Sequence, residues 1–295
     1  MGTIIGFADT EEKICKAIYE VITIQRDYGN RSDRKQARLK YTLDKYGVAW
    51  YTQELEKRTG FALEPARPYY FTDRGDLFGW QQNEQEQWCY TVFVENGRVV
   101  DDEKQALKTG LLELAKTGKA NFRFTCNQNL ILSDIDEKDK EAVNELLEKF
   151  GIIKHTEGQS LIRKNSMACV ALPTCPLALA EAQRYLPSLI DKIEVLLDKY
   201  AIKEDGMIIR MTGCPNGCAR STAAEIGFIG TAPGRYNLQL GGDRIGERLN
   251  KLYRENSNEA EILDSLDPLF KSYSAERLAG ETFGDFALRK KWVTT

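Results

Sequence analysis

The chain has 295 residues, with 41 Lys and Arg set against 44 Asp and Glu for a net charge of −3, and 42% of its residues are apolar. Such a length and composition suit two or three domains with buried cores. The mild acidity and the lack of a recognisable binding module disfavour nucleic acid, and no apolar run approaches the roughly eighteen residues that a membrane-spanning helix needs. The N-terminus, MGTIIGFADTEEKICKA, has no basic segment leading into an apolar stretch, so neither a secretory leader nor an oxidising compartment is expected, and the expected location is cytoplasmic.

Periodicity divides the chain into three regions, 1–78, 79–157 and 158–295. In the first, apolar residues at helical spacing predict an amphipathic helix around Glu11 to Arg26, with Ile14, Ile18, Val21 and Ile22 on one face. A basic helix and a short helix near Gln53 to Arg58 follow. The basic stretch GNRSDRKQARLKY groups Arg31, Arg34, Lys35, Arg38 and Lys40 around one acid, Asp33. It reads equally as a solvated helix face or as a patch for carboxylates, which Arg forks bind bidentately.

The second region alternates at Trp88 to Val94 and at Phe122 to Thr125, with a short strand at Arg98 to Val100 and helices at Lys104 to Lys116 and Glu137 to Phe150. The order β, β, α, β, α predicts an α+β, ferredoxin-like half-repeat. Asn127, Gln128 and Asn129 interrupt the alternation after Phe122 and read as a polar turn ending a strand. His155, the only histidine, lies in the connector KHTEG and reads as a surface-loop residue. One histidine is too few for axial imidazole ligation, His-based zinc chemistry or a Ser-His-Asp triad to be expected.

The third region mixes strands and helices, has frequent Gly-rich turns, and closes with a helix from Glu259 to Ser274. It carries Cys169, Cys175, Cys214 and Cys218, spaced C-x5-C and C-x3-C in Pro- and Gly-punctuated segments. Reduced thiols in this pattern form a ligand set for a soft metal centre, with iron-sulfur as first candidate because a cubane takes one thiolate per iron. Zinc competes, although a five-residue gap is long for a structural zinc pair, and four inert buried thiols are the bland alternative. Cys175 precedes Pro176 and a run at helical spacing, LALAEAQRYLPSLIDKIEVLLDKY, which predicts a helix N-terminus that favours the thiolate. The second pair follows a strand-like run, Met207 to Met211, and Pro215-Asn216-Gly217 reads as a tight turn whose amides can face cluster sulfides. Cys15, Cys89 and Cys126 have no neighbouring cysteine at ligand spacing and read as non-ligand thiols.

The stretches SMACVALPTCPLALAEAQRYLPS, RMTGCPNGCARSTAAEIGFIG and TAPGRYNLQLGGDRIGERL resemble the C-terminal cluster domain of the siroheme-containing sulfite and nitrite reductases. QRDYGNRSDRKQARLKYTLDKYGV, RPYYFTDRGDLFGW, VENGRVVDD, LKTGLLELAK and FRFTCNQNLIL extend the resemblance almost from end to end, and it is strongest to the assimilatory haemoproteins. It implies that Cys169, Cys175, Cys214 and Cys218 hold a [4Fe-4S] cluster, with Cys218 bridging to siroheme as its proximal ligand. It further implies that 1–78 is the second half of the middle siroheme-binding domain, that 79–157 is the ferredoxin-like half-repeat, and that 158–295 is the mixed α/β cluster and siroheme domain. Gln128 becomes the candidate tetrapyrrole contact, with Thr125 and Asn127 nearby. Arg31, Arg34, Lys35, Arg38 and Lys40 become candidates for siroheme carboxylates, and Asn216 and Arg220 for support of Cys218.

In that family the haemoprotein is built of two pseudo-symmetric halves, and the first supplies the Arg and Lys that hold sulfite. The resemblance therefore implies the C-terminal half of a six-electron sulfite reductase, as a separate chain or a fragment, whose partners are the N-terminal half, sulfite, and an NADPH flavoprotein or ferredoxin donor. A nitrite reductase of the same architecture and a non-catalytic electron-transfer subunit remain as alternatives.

Overall fold

The computed structural model describes residues 2–294, which form two compact units, one ending at Phe71 and one beginning at Thr72. In the first unit, α1 (Glu11–Tyr28) starts where the Thr10 hydroxyl accepts the Lys13 amide, with Glu11 and Glu12 favouring the positive end of the helix dipole. Helices α2 (Leu39–Tyr46) and α3 (Val48–Thr59) follow, and Ile24, Tyr51 and Leu55 form the core with Val21, Tyr28, Leu43 and Trp50 around them. The face expected from Ile14, Ile18 and Ile22 is exposed in this unit, while Thr23 and Ile24 turn inward. Nor does the basic stretch form one helix. The Asn30 side chain accepts the amides of Ser32 and Asp33, and Asp33 caps Lys35, so local side-chain bonds replace helical ones until a 3-10 turn at Arg34–Gln36.

The second unit opens with an antiparallel sheet of β1 (Gly79–Gln82), β2 (Trp88–Val92), β3 (Asn121–Phe124) and β4 (Leu130–Ile135), in the order β1-β2-β4-β3. With α4 (Leu107–Thr117) and α5 (Glu137–Lys149) it encloses Tyr90, Val92, Leu114, Leu132, Val143 and Leu147. The order is thus β, β, α, β, β, α. The partner of β2 is Gly79–Gln82 and not Arg98–Val100, which follows a 3-10 turn at Glu95–Gly97. The polar break at Asn127–Asn129 is the turn of a hairpin, and its second arm β4 lies between β2 and β3.

Helices α6 (Ile152–Gly158) and α7 (Leu161–Lys164) lead to a second sheet of β5 (Ser166–Ala168), β6 (Ile209–Thr212), β7 (Ile226–Ala232), β8 (Arg235–Leu240) and β9 (Lys251–Ser257). The first three strands are parallel and the last two antiparallel. Apolar side chains of α8 (Leu186–Lys199), α9 (Glu259–Glu276) and α10 (Phe283–Arg289) join Ile209, Met211, Phe228 and Leu238 in one core. The buried Arg163 of α7 ties this assembly to the first sheet's 3-10 turn by pairing with Glu95, and it also pairs with Asp191 and Glu194.

His155 is not a surface-loop residue. It lies on α6, 7% exposed, stacked against Phe93 at 6.0 Å, because Ile152 and Thr156 turn the same helix face inward. Burial holds its pKa below the usual 6.5, so between that value and the lower folded one the unfolded chain binds the proton more strongly. This histidine's contribution is complete above about pH 6.5 and is lost as the pH falls below it. The melting temperature of His155→Phe should therefore decline less than that of the parent between pH 7.5 and 5.5; parallel declines would contradict the burial argument.

Candidate metal centre

The four cysteines sit on two segments that lie against each other at Gly213. Cys169 follows β5, and its amide donates to the Met211 carbonyl at 3.2 Å. Gly213, next after β6, donates its amide to Cys169 Sγ at 3.3 Å, and its carbonyl accepts the amides of Leu179 and Ala180 at 2.8 and 3.0 Å. A Cβ at Gly213 would lie 2.6 Å from both Ala171 Cβ and the Ala180 carbonyl, so only glycine permits this approach. Between those contacts Cys175 heads a tight turn, donating to Ala171 and accepting from Ala178. Cys214 is buried directly after the crossing, and Cys218 is exposed after the turn at Pro215 and Asn216.

Cys175 does not stand at a helix N-terminus. Helix α8 begins at Leu186, with Pro187 in its first turn, because the amides of Leu179, Ala180 and Gln183 are drawn to the carbonyls of Gly213 and Cys169. Tertiary hydrogen bonds here override a helical sequence pattern. The favourable amide goes instead to Cys169. Burial pushes that thiol's pKa up, the Gly213 and Ala171 amides oppose the rise, and Cys218 and Cys214 add to it. A soft cation bound at Cys169 would reverse that balance and leave a thiolate. Among the described residues no three His, Cys, Asp or Glu side chains converge on a single ion. A cubane asks for no such convergence, since each thiolate binds a different iron.

The hairpin turn of the first sheet supports these segments. Gln128, at φ +69°, donates Nε2 to the Ala168 carbonyl at 3.0 Å, and its buried Oε1 has no partner among the described residues. That acceptor suits a ligand donor. Thr125 and Asn127 are committed to the protein. The Thr125 hydroxyl donates to Asp76 at 2.7 Å, and the Asn127 amide donates to the Arg74 carbonyl and Asp76 while accepting from Arg210 and Arg220. Arg220 also donates to the Cys126 carbonyl at 2.9 Å, and Asn216 is exposed beside Cys218. Asn96 and Gln183 exchange two amide bonds, and the Gln183 amide holds the Cys169 carbonyl.

In the first unit, Arg31, Arg34, Lys35, Arg38 and Lys40 are all exposed. Arg31 donates to the Arg26 carbonyl and lines a cavity of about 600 Å³ with Tyr28, Tyr41 and Lys45, whereas Lys40 lies over the Tyr41 ring at 4.7 Å. Cys15, Cys89 and Cys126 lie apart from the four in sequence and are free thiols. Sequence reasoning missed Asp76, which organises the hairpin turn, and Arg210, a buried cation on β6. A charge inside the otherwise apolar run Met207 to Met211 was the available signal for the latter.

Two family models match the chain: a nitrite/sulfite reductase ferredoxin-like half domain over residues 81–150, and a nitrite and sulphite reductase 4Fe-4S domain over residues 1–63. The latter stretch contains Cys15 alone, and the four clustered cysteines lie outside both. The chain belongs to the nitrite and sulfite reductase family. It is 56% identical over 289 residues to a protein of Leptospira biflexa named sulfite reductase [NADPH] hemoprotein beta-component, covering 98% of this chain and 52% of that protein. Proteins of the same name from Staphylococcus carnosus and Shouchella clausii are 53% and 52% identical over 294 and 295 residues, covering 98% and 99% of this chain and 50% and 51% of theirs. The chain thus spans about half the length of these relatives. The solved structure of Mycobacterium tuberculosis NirA protein matches with a TM-score of 0.81 at 24% identity, over 98% of this chain and 54% of that one, and so shares the fold.

Replacing Gly213 with Ala tests the crossing. The added methyl meets a backbone carbonyl and a short side chain, so one segment must shift, at a cost of about 1–3 kcal/mol. Gly213→Ala should unfold at lower denaturant concentration and retain less iron than the parent. Unchanged stability and iron content would remove Gly213 from the account.

Proposed function

We propose that this chain is the cluster-bearing half of a sulfite reductase haemoprotein, with sulfite as substrate and sulfide as product. The carrying observation is the crossing at Gly213, which brings the two cysteine segments together and aims an amide at Cys169 Sγ. The relatives at 50–56% identity that bear the sulfite reductase name support the choice of substrate. Cys169, Cys175, Cys214 and Cys218 would hold a [4Fe-4S] cluster, and Cys218 would also serve siroheme. When bound, these groups supply one-electron transfer and the iron at which sulfur is reduced, taking up six electrons and seven protons to convert sulfite to hydrosulfide and water.

The chain's own residues position and tune. The Gly213 amide favours the thiolate of Cys169, and the turn headed by Cys175 is held by its own two backbone bonds. Gln128 offers its unpartnered Oε1 to a donor on the ligand, while Thr125, Asn127 and Arg220 fix the turn that carries it. The cations that bind the substrate anion are assigned to the other half of the haemoprotein, and reducing equivalents to an NADPH flavoprotein component.

Anaerobically purified chain should contain about four irons and four acid-labile sulfides. Cys169→Ser, Cys175→Ser and Cys214→Ser should each lose them, while Cys126→Ser should keep them. Stoichiometric zinc without sulfide in fresh preparations would overturn the iron-sulfur assignment.

Loaded with cluster, the 295-residue chain alone should release little sulfide from sulfite with an artificial one-electron donor, since a developing negative charge needs cations placed over it. Adding the N-terminal half of the haemoprotein should restore both siroheme absorbance and sulfide release. Full turnover by this chain alone would mean that the substrate-binding cations lie within it.

A further inference from the structure

Arg210 projects from the middle of β6 and is 3% exposed. Of its five N–H donors, one at Nη2 reaches Asn127 Oδ1 at 3.3 Å, and its buried Nε and Nη1 have no acceptor among the described residues. Arg74 is similar: Nη2 donates to the Asp243 carbonyl at 3.2 Å, and its buried Nε is unpartnered. Neither forms an ion pair among the described residues, although both line a cavity of about 420 Å³ together with Lys164, Arg244 and Asn127.

The carboxylates nearby are already engaged. Asp76 accepts from Thr125, Asn127 and Asn129, and Asp73 closes its own turn onto the Arg74 and Gly75 amides. Glu225 faces Arg244 and Arg74, but its two oxygens accept the amides of Ile208 and Gly284, and burial pushes it toward the neutral form. Burial, then the adjacent Arg220 and Arg74, lower the Arg210 pKa to about 9. Asp243 favours the Arg74 charge from a distance, and its Oδ1 accepts the Gly246 and Glu247 amides. A buried cation persists where something pairs it, and among the described residues no carboxylate forms a contact ion pair with Arg210 or Arg74.

We propose that this cavity binds an oxyanion, with Arg210 and Arg74 as its direct donors and Lys164 and Arg244 balancing the remaining charge. A free tetrahedral ion such as sulfate, phosphate or sulfite and one carboxylate arm of a larger ligand share this chemistry. The inference does not rest on the cluster assignment, because none of the four cysteines takes part.

The test titrates the 295-residue chain with sulfate, phosphate and sulfite, at ionic strength held constant with sodium chloride, by calorimetry and thermal unfolding. At least one ion should bind saturably at one per chain, and Arg210→Met should weaken it roughly tenfold or more, as loss of a charge-assisted hydrogen bond implies. Arg210→Lys should fall between the two, and Arg74→Gln should also weaken binding. In chloride alone, Arg210→Met should melt no lower than the parent, since it removes an unpaired buried charge. If inorganic ions give no response, uroporphyrin serves as the carboxylate probe, and binding that Arg210→Met and Arg74→Gln weaken would assign the site to a carboxylate arm. Responses to every probe that are the same in the parent, Arg210→Lys and Arg74→Gln would overturn the proposal. So would an Arg210→Met variant that melts lower by the same amount with and without anion.

Discussion

Gly213 is the point on which the arrangement of the cysteines depends. Its amide, its carbonyl and its missing side chain are all used, by Cys169 Sγ, by the amides of Leu179 and Ala180, and by the close approach of Ala171. Any other residue would hold the segment of Cys169 and Cys175 away from that of Cys214 and Cys218. The crossing also explains why residues 176–185 are not helical, since their amides point at Gly213 and Cys169 instead of along a helix axis. Gly230 continues the same logic one strand away, where a Cβ would lie 2.5 Å from the Gly213 carbonyl.

Polar turns of the first sheet brace this crossing from outside. Asp76 gathers Thr125, Asn127 and Asn129, and the turn so fixed places Gln128 against the end of β5, one residue before Cys169. The exchanged amides of Asn96 and Gln183 and the buried Arg163 with Glu95 make two further ties. Each bond is worth little alone, but acting together they restrict the turn to one geometry and leave Gln128 Oε1 free to accept from a ligand. A ligand set needs that definition more than it needs added stability.

Much of this was legible in the sequence. The turn at Pro215-Asn216, the strand through Met211 and the helix from Glu259 follow from local chemistry and appear where expected. What failed was decided at long range. The run after Pro176 has helical spacing, but the carbonyls of Gly213, more than thirty residues on, and of Cys169 capture its amides. His155 sits in a polar connector, yet its neighbours Ile152 and Thr156 bury that face of α6. The apolar stripe of Ile14, Ile18 and Ile22 was readable, whereas its exposure in the first unit was not. Strand β4 was hidden because the residues that appeared to end a strand are the turn between two.

The most direct measurement of the central claim is iron K-edge X-ray absorption of the anaerobically purified chain. The crossing at Gly213, with four thiols on two interlocked segments, predicts iron bound only by sulfur, with a second shell of iron at the short separation of a cubane. The same spectrum from Gly213→Ala should lose amplitude in that shell. Iron or zinc ringed by four sulfurs with no metal neighbour would contradict the account.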